Sequence, residues 1–435
     1  MTAQASNPRV VNRWLQLTAC VVAMAAIANL QYAWTLFTLP LAQSLNASLT
    51  AIQLTFTLFI LAETWLVPVE GYLIDKFGAR IIVSISSLFV GAGWVGSGYA
   101  QSLGGLYFWY VLGGIGAGAV YGASIGTALK WFPDRRGLAT GLTAGAYGAG
   151  TALTILPINN MIDSGGYQSA FIFWGIVQGI IVLVAAQFIL APAEGWRPAG
   201  WVRPAAGAGG VAQTQVSRTP WEMLRTPTFW LLYVMMTMVA FGGMMMTAQL
   251  KPIAADFGMD KTIVWFGISA LGLALLLDRI VNGICRPFWG WVSDHIGRYN
   301  TMAITFFLEA IAIFALLQMM HRPVWFIVLS GFVYFAWGNI YSLFPAAIGD
   351  LFGPKYATTN YGIQYTAKGT AAIFAGVGAA WLVSVAGSWT PVFWVAIGCD
   401  LVAAVLAYFW LKPLAARTAG EVTKAKPREA VGAVS

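Results

Sequence analysis

The chain has 435 residues, 59% of them hydrophobic and only 9% charged, with a formal net charge of +8. A soluble enzyme carries about a quarter charged residues and lacks repeated apolar runs of ~20 residues, so the composition excludes that class and makes the bilayer the solvent. The positive residues fall in the loops and tails between apolar runs, which fits membrane orientation; no nucleic-acid partner is expected.

The first apolar run, 14–39, follows Arg9 and Arg13 and continues without a small-residue cleavage site, so it reads as a retained helix and not a signal peptide. Further runs follow at 51–72, 80–100, 105–129, 138–160 and 168–192, and a second set at 227–250, 262–291, 301–320, 323–349, 360–385 and 389–411. The expected fold is an all-α membrane protein of twelve transmembrane helices in two six-helix pseudo-repeats. Residues 1–192 form an N-terminal bundle, 193–226 a flexible Pro-, Gly- and Arg-rich linker, 227–411 a C-terminal bundle, and 412–435 a tail.

Lys and Arg alternate along the loops. Lys76 and Arg80 follow span two, Lys130, Arg135 and Arg136 follow span four, the linker holds Arg197, Arg203, Arg218 and Arg225, and the loops after spans three, five and eleven have none. This places the linker and both termini in the cytoplasm of a multi-pass protein of the bacterial inner membrane. Cys20, Cys285 and Cys399 lie inside spans with no paired spacing, so a buried apolar role is expected, with no metal site. No cofactor is expected, and no nucleotide loop of the G-x-x-x-x-G-K-[ST] type occurs.

The two sets of spans echo each other. GYLIDKFGAR after span two, with Gly71, Asp75 and Arg80, is answered after span eight by GWVSDHIGR, with Gly290, Asp294 and Arg298, the glycines and acids being offset by 219 residues. A glycine permits close helix approach, while an acid and a base make loop contacts that break and remake between two states, so these six residues are gating candidates. Parallel repeats of this kind are the plan of carriers that rock about a central site. The loop pattern resembles the signature of the major facilitator superfamily, and the twelve spans extend that resemblance over nearly the whole chain.

Charge in a membrane core is expensive, which makes each buried charge a functional candidate. They are Glu63 in span two, Asp278, Arg279 and Arg286 in span eight, Glu309, Lys368 and Asp400. Asp278, Asn282 and Arg286 share one helix face, and Lys368 follows Tyr361, Gln364 and Tyr365 on another. Facing a common cavity, the two cations would hold a small anion, arginine as a planar fork and lysine as a point charge. The competing reading is that they pair with Asp278, Glu63 or Asp400 and hold the bundle together. Glu63 is the counterpart of Asn282 at the repeat offset, and is a candidate proton site or partner for Arg286.

The stretches QYAWTLF from Gln31, YGASIGTALKWFPDRRGLATG from Tyr121, NGICRPFWGWVSDHIGRY from Asn282, WGNIYSLFPAAIGDLFG from Trp337 and YTAKGTA from Tyr365 are similar to the oxalate:formate antiporter family. The resemblance implies exchange of small carboxylate anions in a lipid bilayer, by a chain expected to be a monomer. It implies that Arg286 and Lys368 grip the dicarboxylate and that Gln31, Tyr32, Trp34, Tyr121, Tyr147, Asn282, Trp337, Tyr341 and Tyr365 line the cavity. Arg286-Pro287 also resembles the arginine-proline step of monocarboxylate transporters. Two positions depart from the antiporter pattern, Tyr365 in place of tryptophan and Glu63 in place of a neutral glutamine. A carboxyl group at 63 opens the alternative of a proton-coupled monocarboxylate symporter.

Overall fold

Side-chain caps and glycine or proline breaks cut the apolar sequence into helices. The computed structural model describes residues 12–132, 135–192, 196, 198, 217–353 and 356–415. Asn12 accepts the Trp14 N–H to open α1 (Arg13–Tyr32), which continues past Ala33 as α2 (Trp34–Ser44). Ser48 caps α3 (Leu49–Trp65), and a 44° bend leads into α4 (Val67–Phe77). Pro68 sits at that bend, where it has no N–H to continue the helical ladder. Then come α5 (Ala79–Tyr99), α6 (Leu103–Trp131), α7 (Arg136–Ala149) and α8 (Ile155–Ala186). After residue 217 the helices are α9 (Pro220–Leu224), α10 (Pro227–Asp256), α11 (Ala270–Ile296), α12 (Arg298–Met319), α13 (Pro323–Trp337), α14 (Ile340–Phe352), α15 (Ala357–Ile373), α16 (Ala379–Ala386) and α17 (Thr390–Leu406). A π-turn at Phe374–Gly378 joins α15 to α16.

The two glycine-acid-base loops share one backbone solution. Gly78 between α4 and α5 has φ +88°, and Gly297 between α11 and α12 has φ +89°, a region that a residue with a Cβ rarely enters. The repeated sequence therefore encodes a repeated helix break.

Among the described residues, nine stretches are long and apolar enough to cross a membrane, or ten with the bent α3 and α4 taken as one. α7 and α8 run into a single 49-residue stretch, Leu138–Ala186, broken at Gly166 where φ is +80°. α11 is 27 residues long but carries Asp278, Arg279 and Arg286, which set it apart from the apolar set.

The expected span 262–291 begins differently. Ile263–Trp265 and Ile268–Ser269 form a short antiparallel hairpin, β1 and β2, around Phe266 (φ +55°) and Gly267 (φ +73°), and the helix starts only at Ala270, where Ser269 caps it. β-branched residues on either side of a left-handed turn favour the hairpin over helix. Most of the expected linker lies outside the described residues. Its end, 217–226, is held, with Thr219 and Glu222 closing a capping box on α9 and the Arg218 N–H donating to the Phe352 carbonyl at 2.9 Å. Beyond Ala415 the tail lies outside the described residues.

α5 packs between α6 and α8, and α12 between α13 and α17; the first group of helices meets the second mainly through α3 on α15, α7 on α11 and α2 on α10. Glycines bring α7 and α11 together. A Cβ on Gly148 would lie 2.9 Å from the Asn282 carbonyl, and one on Gly283 would lie 2.6 Å from the Ala149 Cβ. That approach, backbone on backbone, sets the Ala144 carbonyl of α7 within reach of Arg286.

Candidate functional site

Where these helix pairs meet, buried polar side chains converge. Lys368 on α15 reaches across to α3, its Nζ lying 2.9 Å from Glu63 Oε2 and donating to Gln31 Oε1 at 2.8 Å and to the Tyr365 hydroxyl at 3.1 Å. Both charges are out of solvent, with Lys368 and Glu63 at 0% exposure. Tyr147 closes the cluster, its hydroxyl 2.8 Å from both Gln31 Oε1 and Glu63 Oε1.

Arg286 on α11 is placed otherwise. One terminal nitrogen donates to the Ala144 carbonyl at 2.7 Å, the other to the Tyr32 hydroxyl at 3.3 Å, and the guanidinium stacks on the Tyr341 ring at 4.7 Å. Its Nε has no hydrogen-bond partner, and among the described residues it makes no ion pair. The Lys368 and Arg286 heads are joined by tyrosines. Lys368 Nζ lies 5.9 Å from the Tyr341 ring that Arg286 stacks on, Tyr32 packs on Tyr147 at 5.3 Å, and Tyr121 packs on Tyr147 and stacks on Tyr365, each at 5.4 Å. Trp337 packs edge-on to Tyr341 at 5.4 Å.

The structure thus brings together Gln31, Tyr32, Glu63, Tyr121, Tyr147, Arg286, Tyr341, Tyr365 and Lys368, with Trp337 behind them. Trp34 is not among them: its indole N–H donates to Gln53 Oε1 at 3.0 Å and its rings pack on Phe56 and Tyr110. Asn282 shares the Arg286 helix face but its amide points at Gly338, 2.7 Å from a Cβ placed there. Neither end of that amide has a hydrogen-bond partner. Glu63 contacts Lys368 and not Arg286.

Of the gating candidates, Arg298 bridges Asp294 at 2.6 Å and Asp350 of α14 at 3.2 Å, tying that loop to a neighbouring helix. Arg80 donates to Gln187 of the α8 end at 2.9 Å. Gly71 and Gly290 have no side chain within 3.8 Å of a Cβ position. The Asp75 side chain lies outside the described residues.

One buried charge escaped the sequence reading. Glu70 follows Glu63 by two turns, and neither of its carboxyl oxygens has a partner. The signal for it, an acid inside an apolar run, was present in the sequence. Arg279, one of the buried charges the sequence singled out, lies against the Tyr32 and Tyr334 rings. Among the described residues no group of three or more His, Cys, Asp and Glu side chains is arranged to hold a metal ion.

The model of the Major Facilitator Superfamily matches residues 19–283 and 266–433. The chain belongs to the major facilitator superfamily. As a member of this superfamily it is a multi-pass membrane transporter and not an enzyme. Within the superfamily it is 36% identical to the oxalate:formate antiporter of Oxalobacter formigenes over 422 residues, 96% of each chain. That extent of identity makes the two members of one family. It is 25% identical over 366 residues to the uncharacterized MFS-type transporter YhjX of Escherichia coli (strain K12), covering 83% of this chain and 86% of that one. It is 22% identical over 364 residues to monocarboxylate transporter 12-B of Danio rerio, covering 79% of this chain and 75% of the other.

Proposed function

We propose that the chain is a secondary carrier of small carboxylate anions that works by alternating access, exchanging oxalate for formate across a bacterial inner membrane. The observation that carries this reading is Arg286, a fully buried guanidinium without a counter-ion, facing a tyrosine cage that Lys368 enters from the other side. A buried cation of this kind is costly unless an anion offsets it. The guanidinium fork fits a carboxylate, and the phenols exclude water while supplying hydroxyls.

The carrier is a monomer of twelve spans in two six-helix halves, 1–192 and 227–411, with residues 193–226, the 412–435 tail and both termini in the cytoplasm. Counting the 49-residue stretch as two crossings broken at Gly166, and α11 as a crossing that holds the site, supports the twelve. The 219-residue echo, with a positive-φ glycine in each copy, supports the halves. Arg286, Lys368 and the tyrosines bind the anion, and the loops at Gly71, Asp75, Arg80 and at Gly290, Asp294, Arg298 gate it.

Glu63 favours a second reading, proton-coupled symport of monocarboxylates. Ionised, it cancels the Lys368 charge; protonated, it frees that charge for an incoming carboxylate, so that proton and anion load together. The Tyr147 hydroxyl has one hydrogen and two acceptors at 2.8 Å, so a proton on Glu63 Oε1 completes the cluster. Counterflow in proteoliposomes with oxalate, formate, lactate, acetate and malonate separates the readings. Exchange predicts that internal formate accelerates oxalate uptake; symport predicts that an inward proton gradient drives lactate or formate uptake without counter-substrate.

A further inference from the structure

Arg279 is a second buried guanidinium that the site above does not use. It lies seven residues before Arg286 on α11, hence about 10 Å along the axis on the same face, away from the Gly290–Arg298 loop. Its guanidinium carbon sits 4.4 Å from the Tyr32 ring of α1 and 4.3 Å from the Tyr334 ring of α13. It is 1% exposed, and its Nε and one terminal nitrogen have no hydrogen-bond partner. Among the described residues it makes no ion pair. The adjacent Asp278 projects elsewhere, toward α13, where one of its oxygens lies 4.0 Å from a Cβ placed on Gly331.

Packing alone does not account for this side chain. Two ring faces satisfy the flat sides of a guanidinium by cation–π contact, but its edge of N–H donors calls for an acceptor in the plane. The protein supplies none to Nε or to that terminal nitrogen. Tyr32 connects this place to the central one, since its ring faces Arg279 while its hydroxyl accepts from Arg286 at 3.3 Å.

We propose that Arg279, clasped by Tyr32 and Tyr334, is a second station for a small carboxylate, two helical turns from Arg286 and coupled to it through Tyr32. It deepens, and rests on, the reading of the chain as a carboxylate carrier. An anion arriving at Arg279 repels the one held at Arg286, and a shift of Tyr32 weakens one grip as it strengthens the other. Two adjacent sites that push on each other reconcile firm capture with fast release.

The test is equilibrium dialysis of radiolabelled formate against the purified full chain, with counterflow measured on the same preparations. Two formates per parent chain are expected, one each for Arg279→Gln and Arg286→Gln, and none for the double variant. Arg279→Lys keeps the second formate, and Arg279→Gln slows exchange about tenfold at subsaturating formate. A parent chain that binds a single formate, a count needing no variant, overturns the second station, as does an Arg279→Gln chain that still binds two. Intact counterflow with one formate bound overturns the station and leaves the carrier reading standing. Two formates bound without counterflow does the reverse.

Discussion

Lys368 and Glu63 meet at 2.9 Å across the α15–α3 contact, so the lysine that faces the tyrosine cage already holds a carboxylate from the protein itself. A dicarboxylate that uses both Arg286 and Lys368 must compete with Glu63 or find it protonated. Glu63→Gln removes the competitor and keeps a side chain able to hydrogen-bond. The half-saturating oxalate concentration should fall about tenfold, equivalent to roughly 1.4 kcal/mol, while that for formate changes little. Any stimulation of oxalate uptake by an inward proton gradient should vanish. Equal oxalate saturation in the parent and variant chains, with the proton effect intact, would remove Glu63 from the mechanism.

The same pair carries a stability prediction. Removing one partner of a buried ion pair costs about 3–5 kcal/mol because the other charge is stranded, whereas removing both often costs little. Lys368→Gln and Glu63→Gln should each lower the apparent melting temperature of the detergent-solubilised chain, and the double variant should melt above either single one. Added oxalate should raise the melting point of Glu63→Gln more than that of the parent chain. Additive losses in the double variant would show that the two charges do not stabilise each other.

The parts of the fold readable from sequence are those that depend on one helix at a time. Apolar run length marks the spans, and the glycine spacing of GYLIDKFGAR and GWVSDHIGR marks two breaks that share one backbone geometry. Contacts between helices are less legible, because spacing along a helix defines a face but not the azimuth at which that face meets its neighbour. Gln31 and Trp34 are three residues apart, yet a break at Ala33 turns Gln31 to Lys368 and Trp34 to Gln53. Likewise, helix spacing aligns Arg279 with Arg286 but gives no sign that Tyr32 and Tyr334 enclose it. The hairpin at 263–269 was hidden because its apolar residues continue the hydrophobic run of α11.

Arg286 should not tolerate lysine. Its guanidinium donates in two directions, to Ala144 O and to Tyr32, while stacking on Tyr341, and its Nε has no hydrogen-bond partner. A lysine amine is a point charge on a thinner stem and cannot hold all three contacts. Arg286→Lys should lower exchange a hundredfold or more, about 2.7 kcal/mol in activation free energy. A variant retaining a tenth of the parent rate would mean that charge alone is recognised.

Gly243 of α10 is a steric support for the cage. A Cβ there would overlap the Trp337 ring, which is fully buried and packs edge-on to Tyr341. Gly243→Ala should drive the indole toward Tyr341, costing about 1–3 kcal/mol of packing and raising the half-saturating substrate concentration severalfold. Gly126→Ala on α6, where a Cβ meets nothing within 4 Å, is the matched control and should transport normally. Equal behaviour of the two variants would free Trp337 from any part in shaping the cavity.

A band of hydrogen bonds joins the two helix groups at the end where α3 begins and α10 finishes. Gln53 donates to the Ala248 carbonyl at 2.8 Å and to Gln249 Oε1 at 2.9 Å, and Gln249 donates to the Gly376 carbonyl in the π-turn at 2.9 Å. Close by, the Lys251 N–H donates to Thr35 Oγ1 at 2.8 Å, its Nζ donates to the Leu36 carbonyl at 3.1 Å, and Thr57 donates to the Ala372 carbonyl at 3.0 Å. If the chain is an alternating-access carrier, a substrate reaching the cage from this end must part them all, and the band is the closure of that route. Joining Gln53→Cys to Gln249→Cys with a short bis-maleimide should therefore stop exchange. The parent chain, whose Cys20 and Cys285 are buried and whose Cys399 is partly so, should keep its activity under the same treatment. Conversely, alanine at both 53 and 249 removes the central bonds and should shift the population toward opening at this end, read as faster labelling of a single cysteine introduced at Thr57. Full exchange in the cross-linked chain would show that this end does not open during transport, and would leave the opposite mouth as the only route.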